Sequence, residues 1–288
     1  TINNADKTAF AAALGDIFER APWVADAAHA ARPFPTLASL YATMTASVRS
    51  ADARRRLALI KGHPDLAGQA ARAGALTPDS TAEQASAGLD RLSDEEFATF
   101  HRLNAAYREK FGIPFIICVR RHCKDSILRQ FERRLQHAAA AELETALNEI
   151  FRIVALRLAE RVSATDQLKV HGRLSTHVLD THSGRPAAGV SIELFEIFNG
   201  GEIRLLERAT TNEDGRTDRP LIEGRPVPVG RYELRFAVGE YFAPQTLLLA
   251  DPPFLDIVPV QFAIADPEGH YHVPLLVTPW SYTTYRGS

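Results

Sequence analysis

The chain has 288 residues, 45% of them hydrophobic and 24% charged, with a formal net charge of −2. A chain of this length is expected to form about two domains, each with a real core. The near-neutral charge points to neither nucleic acid nor an anionic membrane as a partner, and no apolar run is long enough to span a bilayer.

The first part reads as helices. Phe10, Leu14, Ile17 and Phe18 recur at helical spacing behind a candidate cap at Asn3 or Asn4. Leu37, Leu40, Tyr41, Met44 and Val48 repeat the pattern. Gly62-His63-Pro64-Asp65 reads as a loop, because Pro64 stops the preceding helix. Ser80, Glu83 and Gln84 stand at i, i+3 and i+4 and so share a helix face, although Ser80-Thr81-Ala82-Glu83 also reads as a capping box. Ser93-Asp94-Glu95-Glu96 starts a helix carrying Phe97, Phe100, Leu103, Asn104 and Tyr107. Pro114 to Val119 is a short extended apolar run amid helices, which would expose backbone groups to a ligand. It contains Cys118; with Cys123 that makes two cysteines, too few for a zinc framework, and no disulfide is expected. Ile127, Phe131 and Leu135 form another stripe, and the last is Leu143, Leu147, Ile150, Val154, Arg157 and Arg161. A cation such as Arg157 in an apolar stripe needs a partner or must reach water.

At 163–168 the sequence turns polar and aperiodic, which places a linker between a helical domain, 1–162, and a second domain, 169–288. There the period becomes two. Val170, Leu174 and Val178 alternate with His171, Arg173, Ser175 and His177. Turn signals follow at short spacing, among them His182-Ser183-Gly184, Asn199-Gly200-Gly201 and Glu213-Asp214-Gly215, with strand-like runs at Val190–Phe198 and Tyr232–Val238 between them. Near the end, Val273, Leu275 and Val277 face a core, and His270, His272 and Pro274 point away. The fold class is therefore multidomain α + β, an all-α helical domain followed by an antiparallel β-sandwich. Two strands that put imidazoles on their non-core faces imply a shared polar site. Pro274 and Leu276 on that outer face suggest burial against another subunit. A zinc site of His177, His270 and His272 lacks an acidic ligand and a strong spacing motif, so no metal is expected.

The pieces LSTHVLD at 174–180, TNEDGR at 211–216 and HYHVPLL with the terminal YRGS resemble the transthyretin-related 5-hydroxyisourate hydrolases. HPDLAG at 63–68, STAEQASAGLDRL at 80–92, LNAAYREKFGIPFIICVR at 103–120 and IVALRL at 153–158 resemble the decarboxylases of 2-oxo-4-hydroxy-4-carboxy-5-ureidoimidazoline (OHCU). Together the resemblances imply a bifunctional enzyme of urate breakdown. Its transthyretin-like half would hydrolyse 5-hydroxyisourate to OHCU, and its helical half would decarboxylate OHCU to S-allantoin. For the helical half they imply His63 as the catalytic histidine and Glu83 as its acidic companion. Pro64, Ser80, Gln84 and backbone groups from Ile116 to Cys118 would contact substrate, and Arg157 would hold an anion. For the β half they imply His177, Arg216, His272 and Ser288 as catalytic, with Tyr285 and Arg286 binding substrate. No cofactor is expected, because the oxo-imidazoline ring can itself delocalise the electrons left by carbon dioxide. The sandwiches would associate as a tetramer and the helical domains as dimers. The start carries no secretory signal and the end is not a peroxisomal address, so a cytoplasmic location is expected. A hormone carrier is the rival reading, but it would not need the two histidines, Arg216 and the YRGS ending.

Overall fold

The computed structural model describes residues 2–67, 76–245 and 249–287. The chain divides into two compact units. One comprises Thr1–Arg120 with Ser126–Val170, the other Arg121–Asp125 with His171–Ser288. Among the described residues no helix is long and apolar enough to cross a membrane.

The first unit is helical. Its elements are α1 (Lys7–Leu14), α2 (Pro22–Ala30), α3 (Leu37–Ser50), α4 (Ala53–Lys61), α5 (Pro78–Ser86), α6 (Asp94–Phe111) and α8 (Ala139–Arg161), with α7 (Lys124–Arg134) beginning in the short segment assigned to the other unit. The starts of α1, α3, α4, α5 and α6 carry side-chain caps, whereas α2 and α8 start without one. Ser93 and Glu96 form a reciprocal capping box at α6. Two starts differ from the sequence expectation. Asp6, rather than Asn3 or Asn4, caps α1 by accepting from the Ala9 N–H at 2.8 Å. Thr77 caps α5, because Pro78 suits the first helical position, so Ser80 lies inside the helix and is not its cap. Gly62 ends α4 immediately before His63. The core is aromatic at its centre, where Phe115 and Phe131 stack with ring centroids 3.6 Å apart and Tyr107 meets both edge-on. The segment 163–168 lies against this unit, and the Asp166 carboxylate accepts from the Leu37 and Ala38 N–H groups at the start of α3.

The second unit is a β-sandwich. One layer is the antiparallel sheet β5-β4-β7-β8, formed by β4 (Ser191–Ile197), β5 (Ile203–Thr210), β7 (Gly230–Ala237) and β8 (Ile257–Ile264). The other layer is split into two short sheets. β6 (Ile222–Arg225), β1 (Gly172–Ser175) and β9 (His270–His272) form one; β11 (Tyr282–Thr284), β10 (Leu275–Val277), β2 (Val178–Asp180) and β3 (Arg185–Pro186) form the other. A short helix, α9, spans Val238–Phe242. The two segments that alternation presents as single strands are thus each broken, at Thr176–His177 and at Val273–Pro274. Two pairings, β1 with β9 and β2 with β10, are parallel. The alternation holds from Leu174 onward, while Val170, expected on the same face, packs in the helical core instead. Leu174, Val178, Val273, Leu275 and Val277 are buried in one core with Leu194, Leu234 and Val258. Pro274 is buried within the chain itself, so it does not supply the exposed apolar surface expected of it.

Gly215 sets the approach of the 212–216 turn. Its φ is +70° and a Cβ there would fall 2.3 Å from the Val178 carbonyl oxygen. Gly215→Ala should lower the stability of the β unit by roughly 1–3 kcal/mol, seen as a lower urea midpoint for its unfolding, with the helical unit unchanged.

Candidate active sites

The helical unit closes a cavity around its polar residues. His63, Pro64, Ser80, Glu83, Gln84 and Arg157 all line it. They arrive from different elements. His63 and Pro64 follow the end of α4, three residues come from one face of α5, and Arg157 comes from α8. The remaining wall is apolar, with Leu66, Phe115, Ile116, Ile117 and Ile153. Segment 114–118 lies in no helix and, among the described residues, forms no strand pairing.

His63 is buried, and its Nδ1 lies 3.0 Å from the Leu59 carbonyl oxygen. A carbonyl only accepts, so Nδ1 carries the proton in the neutral ring and Nε2 keeps a lone pair. Burial pushes the pKa of His63 down to about 4; the Leu59 carbonyl and the Glu19 charge act in the opposite sense and do not reverse it.

Arg157 is 4% exposed. Its Nε and Nη2 donate to the two oxygens of Glu83 at 2.8 and 2.9 Å. The Glu83 carboxylate, expected from the resemblance to accompany His63, thus bonds the guanidinium and makes no hydrogen bond to His63 among the described residues. A second carboxylate, Glu19, also reaches Arg157 at 3.4 Å and accepts from the Ser80 and Thr77 hydroxyls at 3.0 Å each. Burial opposes the charge on Arg157, but Glu83, with Glu19 and Asp79 beyond it, holds its pKa above the ordinary arginine value. Sequence reasoning missed Glu19. It sits in the turn between α1 and α2, where no periodicity marks it. The available signal is a carboxylate directly after Ile17 and Phe18, both fully buried. Gln84 is also committed in part, since its Oε1 accepts from the Ala67 N–H at 2.9 Å. Cys118 does not line the cavity, and its N–H donates to Glu149 at 2.9 Å.

The β unit brings His177, Arg216 and His272 together. His177 pairs with Arg216 in an isolated antiparallel bridge, and His272 pairs likewise with Gly287. The 212–216 turn is held by Asn212, whose Oδ1 accepts from the Asp214 and Arg216 N–H groups at 3.1 and 3.2 Å. His272 Nδ1 lies 3.0 Å from the Ser175 hydroxyl. His177 Nε2 is buried without a hydrogen-bond partner among the described residues. Burial lowers the pKa of both histidines, and the Arg216 charge adds to it. The Gly287 N–H donates to the His272 carbonyl at 2.8 Å. A Cβ on Gly287 would stand 2.7 Å from His272 Cδ2, so the chain end passes the imidazole at a distance that only glycine allows. Arg286 lies over the Tyr271 ring, 4.8 Å from its centroid, and Tyr285 is 56% exposed. Ser288 lies outside the described residues.

The OHCU decarboxylase model matches residues 3–159, and the HIUase/transthyretin family model matches 174–287. The chain belongs to the OHCU decarboxylase family in its first part and to the HIUase/transthyretin family in its second. A 5-hydroxyisourate hydrolase of Halalkalibacterium halodurans is 53% identical over 117 residues, 41% of this chain and 98% of that protein. An OHCU decarboxylase of Haloferax volcanii is 42% identical over 163 residues, 57% of this chain and 95% of that protein. The crystal structure of an (S)-allantoin synthase covers 100% of this chain and 98% of its own at 35% identity, with a TM-score of 0.51.

The depressed pKa of His63 has a signed consequence for stability. The unfolded chain binds a proton near pH 6.5 and the folded one only near 4, so the associated stability is complete above 6.5 and lost as pH falls through 4. The change is on the order of 3 kcal/mol. His63→Gln should flatten the stability of the helical unit between those pH values, measured as urea midpoints at pH 4.5, 5.5 and 7.

Proposed function

We propose that this chain carries out two consecutive steps of urate breakdown. The β unit hydrolyses 5-hydroxyisourate to OHCU, and the helical unit decarboxylates OHCU to S-allantoin. What carries the reading is that one chain holds both constellations, each assembled within its own unit, and each belonging to a family with the corresponding activity.

In the helical unit, the proposed substrate ring lies against the 114–118 segment, with its carboxylate toward the apolar wall of Leu66, Phe115 and Ile153. Arg157 is already matched by two carboxylates. It therefore offers hydrogen-bond direction rather than uncompensated charge. A dry carboxylate is poorly stabilised relative to neutral carbon dioxide, which favours its loss. The electron pair left behind delocalises into the imidazoline ring. His63 rests neutral, takes the proton of the substrate hydroxyl or carboxyl on Nε2, and is then charged to protonate the ring carbon from one face. Protonation from one face gives one enantiomer. Ser80 and Gln84 orient the ring, and Pro64 shapes the cavity beside His63.

In the β unit, neutral His177 and His272 act as acid and base on a water molecule. Arg216 binds a ring oxygen in the planar, forked manner of a guanidinium. Tyr285, Arg286 and Ser288 complete the site from the chain end. The exposure of Tyr285 and Trp280 supports completion by a second copy, in keeping with a tetramer through the sandwiches and dimeric contacts between helical domains. The domains are taken as 1–162 and 169–288, joined by 163–168, and the location as the cytoplasm.

Circular dichroism tests the reading directly. Fresh 5-hydroxyisourate, made from urate and mixed with the protein, should yield optically active allantoin rapidly. His63→Ala should abolish the chiral product while 5-hydroxyisourate still disappears at the wild-type rate. His272→Ala should slow that disappearance and leave decarboxylation of supplied OHCU intact. Loss of both steps in either variant would contradict two separate sites.

A further inference from the structure

The 114–118 segment belongs to no helix and no strand. It contributes Phe115, Ile116 and Ile117 to the decarboxylase cavity, and among the described residues it pairs with no strand. Side chains from two helices hold it instead. Arg134, at the end of α7, donates from Nη1 to the Ile116 carbonyl at 2.7 Å. Glu149, on α8, accepts the Cys118 N–H at 2.9 Å. Both are buried, Arg134 at 1% exposure, and neither lines the cavity.

Arg134 is itself immobilised. Its Nε and Nη2 donate to Glu142 Oε1 at 2.8 and 2.5 Å, and the Tyr107 hydroxyl donates to the same oxygen. The other Glu142 oxygen lies 2.7 Å from His137 Nδ1. The guanidinium also lies over the Phe115 ring, 4.4 Å from its centroid. Burying charges in this way is a poor route to stability, since well-packed apolar residues often serve as well. What it supplies is direction.

That direction follows from peptide planarity. The Ile116 carbonyl and the Ile117 N–H belong to one trans peptide and point opposite ways. So do the Cys118 N–H and the Ile117 carbonyl. Drawing the Ile116 carbonyl and the Cys118 N–H toward groups behind the wall turns both polar groups of Ile117 the other way, to the cavity side. Neither the N–H nor the carbonyl of Ile117 has a hydrogen-bond partner among the described residues. The donor and the acceptor of Ile117, each turned opposite to a held neighbour, are separated only by that residue's own Cα. They match the N–H and C=O of a cyclic amide or urea edge.

We propose that Arg134 and Glu149 are positioning residues of the decarboxylase site, which fix the 116–118 backbone so that Ile117 presents a rigid donor–acceptor pair to the amide edge of the substrate ring. This rests on the decarboxylase reading above, so OHCU turnover by the unaltered full-length protein is measured first; its absence would fail that reading before any variant is compared. Glu149→Leu removes the acceptor for Cys118, and Glu149→Gln keeps one. The expected result is a KM for OHCU raised about tenfold or more in Glu149→Leu, with kcat within about threefold, while Glu149→Gln stays near the unaltered protein in both constants. Hydrolysis of 5-hydroxyisourate should not change in either variant. A ring-N-methylated allantoin should inhibit the unaltered enzyme more weakly than allantoin does, and Glu149→Leu should lose that discrimination. Unchanged KM in a folded Glu149→Leu would overturn the proposal. So would Glu149→Gln being as impaired as Glu149→Leu, because the role would then lie in charge. Should Glu149→Leu fail to fold, Arg134→Lys decides. It keeps a cation beside Glu142 but loses the fork, so KM must rise with kcat held, and an unaltered KM refutes the role.

Discussion

A guanidinium buried in a helical core must be answered by carboxylates, and Arg157 organises the decarboxylase site for that reason. It stands on α8, on the apolar stripe that packs the unit together. Glu83 answers from α5 and Glu19 from the α1–α2 turn, so one side chain ties three separate parts of the chain. Glu19 in turn holds the Ser80 hydroxyl. The consequence reaches His63. With Glu83 turned to Arg157, no carboxylate hydrogen-bonds to the imidazole, burial dominates, and the ring rests neutral. A neutral ring can accept the substrate's proton first and return one later, which an already protonated imidazolium could not do.

The two sites differ in the way their reactions require. Loss of carbon dioxide gains from a dry, apolar surround, and the helical cavity is walled by buried Phe115, Ile116 and Ile117 with a histidine that burial has discharged. Hydrolysis consumes water, and in the β unit His177 and His272 are only partly buried, beside an exposed Arg216. There the pKa values are lowered as well, with the positive charge of Arg216 next after burial, whereas at His63 the charges of Arg157 and Arg20 are smaller contributions behind burial. In both sites burial is the largest cause of the neutral imidazole and nearby guanidinium charge adds to it; the β site differs in that Arg216 is the second cause.

Much of this was legible in the sequence, for reasons tied to periodicity. Ser80, Glu83 and Gln84 share a face because three- and four-residue spacing fixes it, and they do line one cavity. Alternation separated the core residues Leu174, Val178, Leu275 and Val277 from His177 and His272. Periodicity was silent on what happens between elements. It could not show that both histidine strands break, at Thr176–His177 and Val273–Pro274, where His177 bridges to Arg216 instead of continuing its strand. It gave no sign of Glu19 in a turn. The pairing of Glu83 with His63 came from the family resemblance, not from periodicity. The competing demand of a buried arginine from α8, 74 residues away along the chain, is visible only once the helices are packed.

Gly287 extends the same argument to the chain end. The YRGS ending is a motif by resemblance, and its glycine has a local cause. The backbone must pass His272 closely enough for the Gly287 N–H to bond the His272 carbonyl, and at that separation a Cβ would strike the imidazole. Any larger residue would push either the ring or the chain end away. Gly287 is held against His272 by a backbone bond, whereas Tyr285 and Arg286 before it are exposed. In the proposed β site a main-chain bond from Gly287 holds the backbone beside His272, just as side chains hold the 116–118 backbone in the proposed helical site. In both, side chains supply the proton chemistry, and a held backbone sets the distance at which that chemistry meets its substrate.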